Sequence, residues 1–116
     1  MEATAIARFS RISPRKARTI ANLVRGKNVT QAVNELKFTQ KAAAAVVAKL
    51  LDSAIANARL KDASVDLDAL YVKTIFADKA ATAFMRRWRP RAMGRATQIT
   101  KGLTHITLIV ADRAEA

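Results

Sequence analysis

The segment between residues 79 and 101 constrains the fold of this 116-residue chain more than any other. It contains no acidic residue and seven cations, which are Lys79, Arg86, Arg87, Arg89, Arg91, Arg95 and Lys101. Residues alternate with period two on both sides of it, at 69–77 and 104–111, which predicts two flanking strands. A loop of this length inside a compact domain is uncommon unless it is functional. We therefore predict a long β-hairpin with its tip near Trp88–Arg91, projecting roughly 35 Å from the body.

The chemistry of residues 79–101, which we call the arm, favours contact with nucleic acid. Arginine outnumbers lysine there, and the guanidinium group binds phosphates in a planar, forked geometry and stacks on bases. Trp88 lies among these arginines and is suited to stack on an unpaired base. The alternative is a flexible, solvated charge run, but an isolated arm would expose Phe84, Met85 and Met93 without purpose. We expect the arm to become ordered when a partner buries it.

The first helix is predicted from residue 13 onward. Ser13 and Pro14 form a strong helix start, because serine caps the first turn and proline fits the first helical position. Apolar residues follow at helical spacing to Val24, and Gly26 lies where a left-handed residue ends a helix. Cations recur on the opposite side, so this helix has an apolar face for the core and a cationic face.

Two further helices and three strands complete the predicted body. Thr30 is predicted to cap a short second helix, and Thr39 a third that runs to about Leu60 and is apolar nearly all round. Residues 3–10 alternate loosely, which is a weak strand signal. The 104–111 pattern places Ile106, Leu108 and Val110 on one face. The 69–77 pattern places Leu70, Val72, Thr74 and Phe76 together on one face of the other strand.

Charge is segregated along the chain, whose net charge is +12. Residues 1–27 and 79–116 each carry a net +6, whereas residues 28–78 are neutral. We interpret the neutral middle as scaffold and the two ends as the surface that contacts a polyanion. An ordinary solvated helix face is the alternative for the N-terminal block, but that block has no compensating Glu at helical spacing. The predicted phosphate-facing residues there are Arg11, Arg15, Lys16, Arg18, Arg25 and Lys27.

Catalytic signals are weak, so we expect no enzyme, no cofactor, no metal and no small-molecule substrate. The chain has no cysteine, one histidine and no Gly-rich phosphate loop. Asp62, Asp66 and Asp68 could chelate a cation in a metal-dependent nuclease, but turn and cap chemistry is favoured. His105 is interpreted as a structural histidine or a surface contact.

No membrane or targeting segment is expected. Residues 42–60 approach the length of a membrane span, but Lys49, Asp52 and Arg59 would be costly in hydrocarbon. The N-terminus lacks the positive and apolar regions of a secretory signal. The expected compartment is the cytosol or its organellar equivalent.

Several motifs resemble one family along nearly the whole chain. Residues 13–18 (SPRKAR) and 24–27 (VRGK) resemble the opening helix of the family of large ribosomal subunit protein number twenty-two. Residues 53–58 (SAIANA) are similar to its third helix, 89–96 (RPRAMGRA) to its extended loop, and 104–110 (THITLIV) to its closing strand. The motifs occur in the family's order.

This resemblance implies an α+β fold, with three helices on a three-stranded antiparallel sheet and a protruding hairpin. One domain, 1–116, would have a globular body at 1–78 and 102–116 and the arm at about 79–101. The implied function is a structural constituent of the large subunit that binds rRNA, supports assembly and lines the nascent-peptide exit tunnel. The implied partners are large-subunit rRNA, neighbouring large-subunit proteins and the nascent polypeptide, in a cytoplasmic or organellar ribosome.

By position, the tip region would comprise Arg86, Arg87, Trp88, Arg89, Pro90 and Arg91, with Met93, Gly94 and Arg95 on the returning limb. The rRNA-binding set would be these arginines, Lys79, Lys101 and the N-terminal cations. Residues 78–83 contain neither the Gly nor the Pro of the acidic-Gly-Pro turn that many members have. The resemblance therefore does not fix the conformation or the reach of the outgoing limb. A DNA-architectural protein that inserts an Arg-Pro arm into the minor groove is the alternative function.

Overall fold

Three α-helices and two antiparallel sheets make up most of the described part of the chain. The computed structural model describes residues 1–81, 86–100 and 102–112, with side chains throughout except at 86–87 and 99–100. Strands β1, β5 and β2 form one sheet in that order, and β3 and β4 form a second. The predicted α+β fold is confirmed. The elements are β1 (Glu2–Ser10), α1 (Pro14–Val24), α2 (Val29–Phe38), α3 (Ala42–Lys61), β2 (Leu70–Lys79), β3 (Arg86–Pro90), β4 (Ala96–Thr100) and β5 (Thr104–Asp112).

The core lies between the helices and one face of the three-stranded sheet. Strand β5 is central, and its inward residues Ile106, Leu108 and Val110 are buried as predicted. Strand β1 presents alanines such as Ala3 and Ala5 to the helices, and α3 presents small residues in return. Small side chains let α3 approach the sheet closely, which explains its alanine content. Among the described residues, no helix is long and apolar enough to cross a membrane.

Helix α1 begins and ends as the sequence predicts. The Oγ of Ser13 accepts the N–H of Lys16 at 3.4 Å, and Pro14 is the first helical residue. Gly26 follows the helix with φ +79°, a conformation that costs glycine little. Its N–H donates to the carbonyl of Val72 at 3.0 Å, so the end of α1 is tied to the edge of β2.

The predicted caps of the other two helices are wrong. Asn28 caps α2, because its Oδ1 accepts the N–H of Thr30 at 2.9 Å, so Thr30 already lies inside the helix. Thr39 follows α2, and its hydroxyl donates to the carbonyl of Glu35 at 2.7 Å. Helix α3 begins after Lys41, with no side-chain cap. An asparagine two residues before Thr30 caps α2, and Thr39 bonds back to α2 instead of forward to α3, which residue type alone does not distinguish.

A β-bulge overturns the face assignment of β2. The register with β5 shifts between Val72 and Thr74, and one extra residue moves every later side chain to the other face. Ile75 and Ala77 are therefore buried, whereas Phe76 is 41% exposed on the open face. The prediction that Thr74 and Phe76 share a face with Val72 was wrong for this reason.

The arm makes the molecule elongated. Its principal-axis extents are 65 × 25 × 19 Å, and its radius of gyration is 17.3 Å against about 13 Å for a compact domain of this length. Strands β3 and β4 pair from Arg86↔Thr100 to Pro90↔Ala96. The turn between them is Arg91–Arg95, so the apex lies beyond the predicted Trp88–Arg91. Met93, Gly94 and Arg95 lie in this turn and not, as predicted, on the returning limb.

Candidate nucleic-acid interface

The strand register defines two ends of the body. At the arm end, where the arm joins the body, Ser10 and Lys79 both lie opposite Thr104. Glu2 and Leu70 lie at the opposite end of the sheet, which we call the far end.

The helices run between these two ends in alternating directions. Helix α1 starts at the arm end, where the hydroxyl of Thr104 donates to the carbonyl of Ile12. Helix α3 finishes at the far end, because the amide of Asn57 donates to the carbonyl of Thr4 at 2.9 Å and Lys61 Nζ to that of Glu2 at 2.7 Å. The first residues of α1 and α3 therefore lie together at the arm end.

Acidic side chains collect at the far end. Five of the nine acids belong to the far end or to the connection from α3 to β2 that lies there, namely Glu2, Asp62, Asp66, Asp68 and Asp112. Lys73 forms an ion pair with Glu2, which lowers the pKa of Glu2 and raises the pKa of Lys73. The far end consequently offers a polyanion little net positive charge.

The aspartates of the connection form turns, the interpretation that the sequence favoured. Asp62 Oδ1 accepts the N–H and the hydroxyl of Ser64 at 3.0 and 2.7 Å, which lowers the pKa of Asp62. Asp66 Oδ1 accepts the N–H of Asp68 at 3.0 Å and so caps a short 3-10 turn. Within the described ranges, no three His, Cys, Asp or Glu side chains are grouped to hold a metal.

His105 is a structural histidine on the open face of the sheet. Its Nδ1 accepts the N–H of Phe9 at 3.1 Å, and the two rings pack edge to face with centroids 4.6 Å apart. Phe9 has φ +54°, in a bulge of β1, so this bond holds a backbone conformation that is uncommon for a bulky residue.

Three of the six predicted N-terminal cations have partners inside the body. Arg18 Nε donates to the carbonyl of Ala77 at 3.2 Å, and an Arg25 guanidinium nitrogen donates to that of Ile75 at 2.7 Å. Both carbonyls belong to the edge strand β2, whose free groups these arginines satisfy. Lys27 forms an ion pair with Glu35 at 2.5 Å.

The other three N-terminal cations point to solvent at the arm end. Arg11, Arg15 and Lys16 are exposed, and within the described part of the chain their side chains form no hydrogen bond or ion pair. The six cations that the sequence grouped together therefore divide into three that stabilise the body and three that are free to meet a ligand.

The arm carries exposed cations and an exposed indole. Arg89, Arg91 and Arg95 are exposed and have no side-chain partner among the described residues, and Trp88 is 67% exposed. Lys79 is exposed at the root of the arm.

The remaining arm residues lie at the apex or outside the described side chains. Met93 is 93% exposed at the apex, where Met93 and Gly94 have φ +64° and +71°. Arg86 and Arg87 are placed only by their backbone, in β3, and Lys101 lies outside the described residues, as does part of the 78–83 segment.

Sequence reasoning missed Lys37 and Lys41, because it treated residues 28–78 as electrically neutral. Both lysines flank the α2–α3 connection at the arm end, whereas the aspartates that balance them follow α3. The 20 residues of α3 separate these groups by about 30 Å, beyond the screening length at physiological salt. A count of charge by predicted helix end, rather than by block, would have found them.

These side chains form a cationic surface that can bind a polyanion. Exposed arginines supply forked donors for phosphates, and Trp88 supplies a face on which an unpaired base can stack. The surface runs from the arm onto the arm end of the body. Its described members are Arg11, Arg15, Lys16, Lys37, Lys41, Lys79, Arg89, Arg91 and Arg95.

Comparison with known proteins gives consistent similarities. The sequence model of the ribosomal protein L22p/L17e family matches residues 5–111. The chain is 53% identical over 113 residues to large ribosomal subunit protein uL22 of Sorangium cellulosum, covering 97% of this chain and 99% of that protein. It is 51% identical to uL22 of Syntrophobacter fumaroxidans, covering 97% and 100%, and 54% identical to uL22 of Myxococcus xanthus, covering 97% of each.

Proposed function

The chain belongs to the ribosomal protein L22p/L17e family, and from that membership we propose that it binds large-subunit rRNA through the arm and the arm end of its body. Membership makes it a protein of the large ribosomal subunit, which in bacteria works in the cytoplasm. Its role in this proposal is structural: it neutralises phosphates of several rRNA segments, holds them together during assembly and performs no catalysis.

One observation carries the proposal, namely the uneven distribution of uncompensated charge. Lys27 and Lys73 form ion pairs and Lys61 bonds a carbonyl at the far end, whereas the members of the cationic surface have no side-chain partner within the described residues. A protein that was basic only for solubility would not need this polarity. A protein that binds folded RNA through its arm and one end of its body would need its positive charge concentrated there.

The arm is proposed to enter the subunit and contribute to the wall of the nascent-peptide exit tunnel. Every described side chain from residue 88 to 98 is exposed, so the arm buries little surface of its own and requires a surrounding partner for ordered packing. Residues 91–95 are the apex and would reach farthest, toward the nascent polypeptide. Neighbouring large-subunit proteins and rRNA would surround the remainder of residues 79–101 and the arm end of the body.

The full chain is expected to bind structured large-subunit rRNA with a strong salt dependence. If about seven phosphates are contacted, the logarithm of the association constant should fall with that of salt concentration at a slope of about −5 to −6. Filter binding or fluorescence titration across 50–300 mM salt, with duplex DNA of equal length as competitor, measures both slope and preference. Duplex DNA should compete poorly.

The alternative outcome is equally specific. A dimer in solution that prefers duplex DNA to rRNA would replace this proposal with a DNA-architectural function. A slope near zero would contradict any function based on phosphate contacts.

A further inference from the structure

A cleft of about 380 Å³ opens at the arm end, between the start of α1 and the start of α3. Three cations from three parts of the chain line it: Arg11 from the bend after β1, Lys16 from the first turn of α1, and Lys41 from the residue before α3. The other lining residues, among them Ser13, Thr19 and Gln40, are uncharged, so the cleft has no acidic side chain.

The three cations are available to a ligand. All three are exposed, and none of their side chains has a hydrogen-bond or ion-pair partner in the described residues. Holding three like charges around one cleft costs free energy, which an anion between them would offset. The backbone start of α3, which has no side-chain cap, adds partial positive charge to the same wall.

Two other clefts among the described residues have a different chemistry. A cleft of about 750 Å³ beside α2 includes Glu35 and the exposed Phe38, and one of about 430 Å³ between α2 and α3 includes Asp52. An acid in the lining disfavours a phosphate through like-charge repulsion. The arm-end cleft is thus distinguished by charge and not by size.

We infer that the arm-end cleft is a binding site for a backbone phosphate of rRNA, in which Lys41 completes a site begun by Arg11 and Lys16. This inference rests on the proposed rRNA-binding function and assigns a site to it. The cleft lies at the root of the arm, because Gly102 stands so close to Ser13 that an added Cβ would be 3.3 Å from the Ser13 Cα. An RNA strand at the base of the arm would therefore pass this cleft, and the cleft would fix its register relative to the arm.

The test compares Lys41→Gln with Lys49→Gln in the full chain, using large-subunit rRNA as the probe. Lys49 lies two turns further along α3 and is exposed, but it neither lines the cleft nor belongs to the cationic surface. Lys41→Gln is expected to reduce the salt slope by about one and to weaken binding about fivefold at 0.15 M salt, because one phosphate contact is lost. Lys49→Gln is expected to change the slope by much less, because α3 carries it away from the arm end.

A double-mutant cycle between Lys16→Gln and Lys41→Gln adds a second criterion. If both lysines hold one phosphate, the double variant should lose less than the product of the two single losses. Equal effects of Lys49→Gln and Lys41→Gln, or strictly multiplicative losses in the cycle, would overturn the site while leaving rRNA binding by the wild-type chain intact. If the wild-type chain shows no salt-dependent rRNA binding, the proposed function fails first and the site fails with it.

Discussion

Replacing Arg89, Arg91 and Arg95 together by alanine is expected to weaken rRNA binding by about a hundredfold at 0.15 M salt, with little change in the stability of the body. Each arginine that contacts a phosphate releases counterions when it binds, so losing three contacts reduces the salt slope by about two to three. Stability should be unaffected because these side chains are exposed and bond nothing within the described residues. Affinity across a salt series and thermal unfolding by circular dichroism measure the two effects.

A charge-matched control separates position from total charge. Lys49, Arg59 and Lys61 are exposed on α3, and alanine favours helix at each position. Replacing these three removes the same charge but should reduce the salt slope by less than about one, since α3 runs away from the arm end. If both triple variants lose affinity equally, net charge governs binding and the arm has no special role. If the arm variant also lowers the unfolding temperature of the body substantially, the arm is part of the folded core.

The opposite profile is expected for Leu51→Ala, which should destabilise the body by about 2–5 kcal/mol. Leu51 lies on α3 with 0% exposure, and its removal leaves a cavity in a core that the small residues of α3 and β1 already pack closely. Leu60→Ala is the matched control, because the same side chain on the same helix is 86% exposed. Its expected cost is under about 0.5 kcal/mol.

Denaturant titration followed by circular dichroism at 222 nm measures this difference. Fluorescence of Trp88, the one tryptophan of the chain, is unsuitable because its side chain lies on the arm and is 67% exposed. Below the unfolding transition of Leu51→Ala, rRNA affinity should equal that of the wild-type chain, since the cationic surface is intact. Equal costs for the two leucine substitutions would contradict the location of the core described above.

The sequence predicted those elements whose signals are local and redundant. The start of α1 follows from Ser13 and Pro14 acting together, and its end from Gly26 in a left-handed conformation. The alternation of β5 was reliable because a central strand packs one face against the helices without interruption. In each case, local propensity and tertiary packing favour the same structure.

Predictions from sequence failed where one inserted residue changes the face of every later side chain in a strand. They also failed where the partner of a side chain lies far away in sequence. The bulge between Val72 and Thr74 has no residue-type signature, yet it exchanges the faces of Ile75 and Phe76. The division of the N-terminal cations depends on the carbonyls of β2, which lie about fifty residues away from Arg25. Likewise, Lys41 joins the cationic surface because α3 carries its balancing aspartates to the other end of the body. These features follow from three-dimensional arrangement and not from local pattern.

Crosslinking from position 88 inside cells tests the central claim most directly, because it identifies what surrounds the arm in the assembled particle. A photoreactive benzophenone side chain in place of Trp88, compared with the same group in place of Leu60 at the exposed far end of α3, would be irradiated and its products sequenced. The expected result is abundant crosslinks from position 88 to large-subunit rRNA and few from position 60. Crosslinks from position 88 mainly to the helices of its own chain, with no RNA recovered, would contradict the account.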